Sequence, residues 1–226
     1  MNIYDFFELI YCINLTSRRD RARKMKREFI KIGINQKAKL ISATLDARSP
    51  SRGCAFSHIS CIKKAQKLGA KNVLILEDDI EFIEPPFTET VKAALGQLQN
   101  YPNWDILFLS CLLTSPSYLI EPNLIKVAGA YTPHAYCVNS KMFDKIINMG
   151  NDFKNGHTFY DIKLNDEIIQ DPNYEVYCMY PYIVDHGPGF SDIAGKKVDP
   201  RAHIRKFYDA NIRIDRYGIT NSKKQD

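Results

Sequence analysis

The chain has 226 residues, 45% of them hydrophobic and 25% charged, so it can bury one core of good size. It carries no internal repeat or low-complexity stretch, and no apolar run approaches the ~20 residues that a bilayer-spanning helix needs. The net charge of +5 suits partners such as nucleic acid, an anionic membrane surface or a phosphorylated small ligand, but it equally suits the wet face of a helix.

Residues 1–8 are polar and acidic and lack the basic start of a secretory signal. Six cysteines, Cys12, Cys54, Cys61, Cys111, Cys137 and Cys178, form no CxxC pair and no zinc-finger spacing. Most lie in apolar runs, where a free thiol behaves as a small hydrophobe. The expectation is a reduced, cytoplasmic setting.

In chain order, residues 9–15 read as a first buried strand. A helix follows to about Lys31, capped by Thr16 or Ser17 and ended by Gly33. Met25, Phe29 and Ile32 give that helix an apolar stripe under a basic outer face. Residues 38–43 predict a second strand, 44–52 a loop, and 58–68 a helix whose N-cap is Ser57. Val73-Leu74-Ile75-Leu76 reads as a strand buried on both faces of a parallel sheet. Pro85-Pro86 breaks the chain before a helix at 88–99. Strands are expected at 104–109, 125–127, 134–138 and 174–179, a helix at 140–149 and a loop at 181–190. Alternating strands and helices imply an α/β fold with a mainly parallel sheet.

The strand at 73–76 ends in Glu77-Asp78-Asp79. Open parallel sheets hold ligands beyond the carboxyl ends of their strands. Adjacent carboxylates repel unless a cation joins them, and Mg²⁺ or Mn²⁺ bridging to phosphate oxygens is one solution. An acidic, solvated turn is the other reading. Asn14, Arg18 and Arg19 lie where the first strand meets its helix, a junction that can hold a nucleotide's phosphates or simply face water. His58 follows Ser57 at an expected helix start, and a lone histidine there is more often structural than catalytic. Asp185-His186 before Gly187-Pro188-Gly189 suits a metal or phosphate contact. Asp161, ahead of an expected helix, reads by itself as an N-cap.

Ile13-Asn14-Leu15 with Arg18-Arg19-Asp20-Arg21, then Gly53-Cys54-Ala55-Phe56-Ser57-His58, then Leu74-Ile75-Leu76-Glu77-Asp78-Asp79, resemble glycosyltransferase family 25 in order and spacing. Residues 129–138 and 159–164 also resemble it, so the likeness spans roughly residues 9–190. That family includes lipooligosaccharide galactosyltransferases of lipopolysaccharide biosynthesis and collagen hydroxylysine galactosyltransferases. Ser51-Arg52 stands where the family commonly carries an acid.

The resemblance implies an α/β, GT-A-like single domain over residues 1–200, with 201–226 a basic C-terminal extension. It implies an inverting transfer of a hexose from a nucleotide diphosphate, usually UDP, to a glycan or protein hydroxyl. Asp79 and His186 would hold Mn²⁺ or Mg²⁺, and Asp161 would be the catalytic base. Asn14, Arg18, Arg19, Ser57, His58, Glu77 and Asp78 would bind the donor. A contact of the basic segments with an anionic membrane's inner face is a further expectation, and no nucleic acid is expected. The alternative is a weak or inactive nucleotide- or glycan-binding module of the same fold.

Overall fold

A computed structural model describes residues 3–154, 156 and 159–214. The strands are β1 (Leu9–Asn14), β2 (Ala38–Ser42), β3 (Asn72–Glu77), β4 (Ile80–Phe82), β5 (Ile106–Leu113), β6 (Ser117–Glu121), β7 (Leu124–Lys126), β8 (Ala130–Asn139), β9 (Val176–Met179), β10 (Val184–His186), β11 (Gly189–Ser191), β12 (Lys196–Val198) and β13 (Ile212–Arg213). The helices are α1 (Arg19–Lys31), α2 (Pro50–Lys67), α3 (Phe87–Leu98), α4 (Phe143–Lys154), α5 (Tyr160–Leu164) and α6 (Arg201–Asn211).

Nine strands form one sheet in the order β13-β6-β7-β9-β5-β8-β3-β1-β2. Following the pairings across it, β7 and β8 run against the other seven. The chain therefore has the α/β architecture expected, with a mainly parallel sheet and an apolar cluster on each face. β4 pairs with β10, and β11 with β12, in two small antiparallel ribbons.

Val73, Leu74, Ile75 and Leu76 are all buried, as four consecutive branched residues in a central strand require. Met25, Phe29 and Ile32 seat α1 on the sheet, and Gly33 follows with φ +76°, the left-handed residue that ends many helices. Its start differs from expectation: Arg18 is the N-cap, and neither Thr16 nor Ser17 caps it.

The largest difference is α2. It starts at Pro50, because Ser49 accepts from the Arg52 amide and proline favours the first turn. Part of the expected 44–52 loop is thus helix, and Ser57 lies inside it rather than at its cap. Gly53 lets the β2–α2 loop close on the helix, since a Cβ there would lie 2.7 Å from the Thr44 carbonyl oxygen. The expected loop at 181–190 contains β10 and the start of β11.

The stretch after Pro200 also enters the fold. Ile204 and Tyr208 of α6 are buried, and the Tyr208 hydroxyl donates to the Met179 carbonyl at 2.6 Å. Arg205 forks onto the buried Asp185 carboxylate, and β13 pairs with β6. The rest of the expected extension, 215–226, lies outside the described residues. Among the described residues, no helix is long and apolar enough to cross a membrane.

Candidate active site

β1, β2 and β3 run side by side in parallel, so Asn14, Thr44 and Glu77 gather where they end. A cavity of about 330 Å³ opens there, lined by Thr44 and Pro50 on one side and by Arg21, His58, Glu77 and Asp78 on the other. A second cavity of about 290 Å³ is lined by Thr132, His134, Tyr160, Asp161 and His186. Cys54, His58, Glu77 and Ile193 belong to both walls, which puts Glu77 at the neck between two lobes.

The three successive acids have different surroundings. Asp78 turns toward α1: its Oδ2 accepts from Asn14 at 2.6 Å and its Oδ1 from Arg21 at 2.7 Å. Burial raises its carboxyl above the ordinary range, against the pull of Arg21 and Asn14. Asp79 Oδ2 lies 3.0 Å from the same guanidinium, and its Oδ1 lies 3.5 Å from His186 Nε2. Burial also raises Asp79, with His186 and Arg21 opposing. Glu77 goes the other way. Burial acts to raise it, but the His58 hydrogen bond and the nearby histidines outweigh that and hold it below the ordinary value.

His186 arrives through β10. Its register against β4 sets His186 opposite Ile80, one residue past Asp79. Gly187 then donates its N–H to the Asp79 carbonyl at 2.7 Å, an approach that a Cβ would block. Glu77, Asp79 and His186 can each offer a ligand atom within 4.8 Å of the others. Asp79 Oδ1 and His186 Nδ1 are buried without a hydrogen-bond partner. Two carboxylates and an imidazole, with Asp79 Oδ1 unpartnered among them, fit a hard or borderline divalent cation. Cys54, His58 and Glu77 form a second such group, but burial pushes the Cys54 thiol well up and away from the thiolate that a metal needs.

Asp161 lies in the first turn of α5, where Phe159 and not Asp161 is the N-cap. Its Oδ1 accepts from the Ile162 amide at 3.0 Å, and burial raises its carboxyl against that bond. It faces the second lobe, apart from Asp78 and Arg21.

Four of the expected donor residues have these surroundings. Arg18 is spent on Asp192 at 2.7 Å and Asp20 at 3.2 Å, and Arg19 is exposed; neither lines a lobe. Ser57 Oγ donates to the Gly53 carbonyl and accepts from the Thr44 amide, both at 2.8 Å, so it fastens the β2–α2 loop. His58 is 1% exposed and both of its ring nitrogens have protein partners. Two further residues line the cleft, Arg21 in the first lobe and His134 in the second. Arg21 is the arginine that reaches the acids, and its place four residues before Met25, on the inward face of α1, is a signal that could have found it. His134 packs edge-on against His186 with ring centroids 5.8 Å apart, and burial pushes it down to about 4. Nothing in its apolar strand marks it.

Residues 49–114 match the family model described as glycosyltransferase family 25 (LPS biosynthesis protein). The matched family is glycosyltransferase family 25. The family 25 segment carries His58 and all three acids, whereas Asn14, Arg21, Asp161 and His186 lie outside it and reach the cleft through the fold. No curated protein matches the chain. Among solved structures, it is similar to A197 from STIV (12% identity, 84% of this chain and 92% of that one, TM-score 0.49). It is also similar to a mannose-1-phosphate geranyltransferase from Thermus thermophilus (9%, 79% and 75%, 0.47). A third is a glycosyltransferase involved in glycosylation of the major capsid of PBCV-1 (12%, 74% and 80%, 0.45).

Proposed function

We propose that this chain is a divalent-metal-dependent hexosyltransferase that moves a sugar from a UDP-linked donor to a hydroxyl of a glycan or protein. The observation that carries the reading is the Glu77–Asp79–His186 group at the neck of a two-lobed cleft. Glu77, Asp79 and His186 would hold Mn²⁺ or Mg²⁺, which when bound neutralises charge on a departing diphosphate. Asn14 and Arg21 keep Asp78 turned aside; in the wall of the first lobe, Arg21 sets Nη1 on both aspartates and donates through Nη2 to the Phe190 carbonyl at 2.7 Å.

The acceptor enters the second lobe. Asp161 takes the proton of its hydroxyl as that oxygen bonds to the anomeric carbon and the bond from that carbon to the diphosphate breaks. A carboxyl raised by burial is better matched to this work near neutrality. One displacement of this kind inverts the anomeric centre. Arg23, Lys26 and Arg27 are exposed on α1 and would meet an anionic bilayer from the cytoplasmic side.

Arg21 favours one other reading. Its guanidinium already touches both Asp78 and Asp79, so it could supply the positive charge without a metal, in an enzyme or a binding module. The test is UDP release from a panel of UDP-hexoses, with EDTA and with added Mn²⁺, on the wild type and Asp79→Asn. Metal-stimulated release that Asp79→Asn lowers by orders of magnitude is expected. Release indifferent to EDTA and to Asp79→Asn would overturn the metal assignment.

A further inference from the structure

Behind Glu77 runs a chain of buried polar side chains that ends in the helix carrying Asp161. His58 Nε2 lies 3.3 Å from Glu77 Oε1, and His58 Nδ1 lies 3.0 Å from the Tyr136 hydroxyl. That hydroxyl lies 2.9 Å from the hydroxyl of Tyr160, the residue before Asp161. All three links are removed from solvent: His58 is 1%, Tyr136 0% and Tyr160 3% exposed. The imidazole also stacks on Tyr160, with centroids 4.6 Å apart and planes 7° apart, so its ring cannot turn freely.

The direction of the chain follows from donor and acceptor chemistry. A carboxylate at Glu77 can only accept, so a neutral His58 carries its proton on Nε2. Nδ1 is then free to accept from Tyr136, and Tyr136 to accept from Tyr160. Burial pushes both phenols up, which keeps them protonated as donors. Each ring nitrogen and hydroxyl along the line then has a partner, and a half-satisfied buried network would be costly.

We infer that His58 is a positioning residue that orients the Glu77 carboxylate at the neck of the cleft, and that Tyr136 and Tyr160 fix the ring tautomer that lets it do so. The α5 helix of the acceptor lobe and the last residue of β3 are then joined by one hydrogen-bonded line. The consequence for metal affinity rests on the proposed function; the tautomer does not.

The variants are Tyr136→Phe, which keeps the ring and removes the hydroxyl, and Tyr160→Phe, which removes only the far end. Histidine ring ¹⁵N spectra of the metal-free protein read the tautomer. Wild type should give a single His58 tautomer protonated on Nε2. Tyr136→Phe should give a mixture, and Tyr160→Phe a smaller change in the same sense. Mn²⁺ affinity, read from the free-ion electron spin resonance signal, should weaken about 10-fold in Tyr136→Phe, at the low end of what loss of a supporting hydrogen bond costs a metal site. His58→Leu should weaken it at least as much, and His58→Gln, with an amide in place of Nε2, should recover most of the loss. A Tyr136→Phe protein that melts lower, yet keeps both the wild-type tautomer and Mn²⁺ affinity, would reduce the chain to core packing. A wild type that binds no Mn²⁺ but shows the tautomer shift would leave the positioning of Glu77 standing and refute the metal reading.

Discussion

Arg21→Met separates the electrostatic role of Arg21 from its packing, because methionine keeps most of the stem and loses the fork. The guanidinium lies 2.7 Å from Asp78 and 3.0 Å from Asp79, and all three side chains are no more than 14% exposed. Removing one partner of a fully buried pair costs about 3–5 kcal/mol, and a hydrogen bond to a charged group about 1.5–3. This site is partly wet and Asn14 still serves Asp78, so a loss of about 2–4 kcal/mol in metal-free protein is expected, with some of the larger figure screened. A domain with about 5–15 kcal/mol of stability survives that. The sign with pH follows from the carboxyls. Arg21 lowers both, so its absence costs most where they are ionised and least once acid protonates them. Mn²⁺ should narrow the gap between variant and wild type, because the ion supplies the missing charge. The assay is urea unfolding of both proteins at pH 7 and pH 4, with and without Mn²⁺. A gap below about 0.5 kcal/mol at pH 7, or one that Mn²⁺ widens, would refute the assignment of Arg21 as the counter-charge of the acid cluster.

Asp161→Asn should lower kcat for transfer by ~10²–10⁴-fold and leave UDP and Mn²⁺ affinity unchanged; normal turnover with a lower melting point would return Asp161 to a helix-end role. His134 titrates at about 4 in the folded chain against an ordinary 6.5, so its contribution is full above 6.5 and is lost as pH falls toward 4. That difference corresponds to about 3 kcal/mol, and His134→Asn, which keeps a donor to the Thr132 carbonyl, should flatten metal-free stability across this window. An unchanged pH profile would count against it. Tyr208→Phe removes one of two bonds to the buried Met179 carbonyl, which also accepts from the Cys178 thiol at 3.5 Å, and should cost about 0.5–1.5 kcal/mol in denaturant unfolding. No measurable loss would mean that α6 is held by its apolar face, Arg205 and the Asn211 bond to the Leu113 carbonyl.

The sequence by itself determined whatever depends on near neighbours in the chain. Four branched residues at 73–76 made a strand buried on both faces, and the acids after it had to emerge at its carboxyl end. Met25 and Phe29 fixed which side of α1 faces the sheet, and Gly33 where the helix stops. The order of the 13–21, 53–58 and 74–79 segments pointed to the family. The start of α2 was less legible, because Ser49-Pro50 and Ser57 are both good helix-start signals and only the closing of the β2–α2 loop on Gly53 decides between them.

The tertiary structure alone decided the partners. Periodicity says which face of an element is covered and not what covers it. His186 reaches Asp79 because β10, three residues long, pairs with β4 about a hundred positions earlier. Arg18 and Arg19 look as able as Arg21 to hold an anion, yet helical geometry turns only Arg21 toward the acids. His58 meets Glu77, Tyr136 and Tyr160 from three different elements. Such meetings are set by the order of strands in the sheet, and that order is a property of the packed chain rather than of any segment of it.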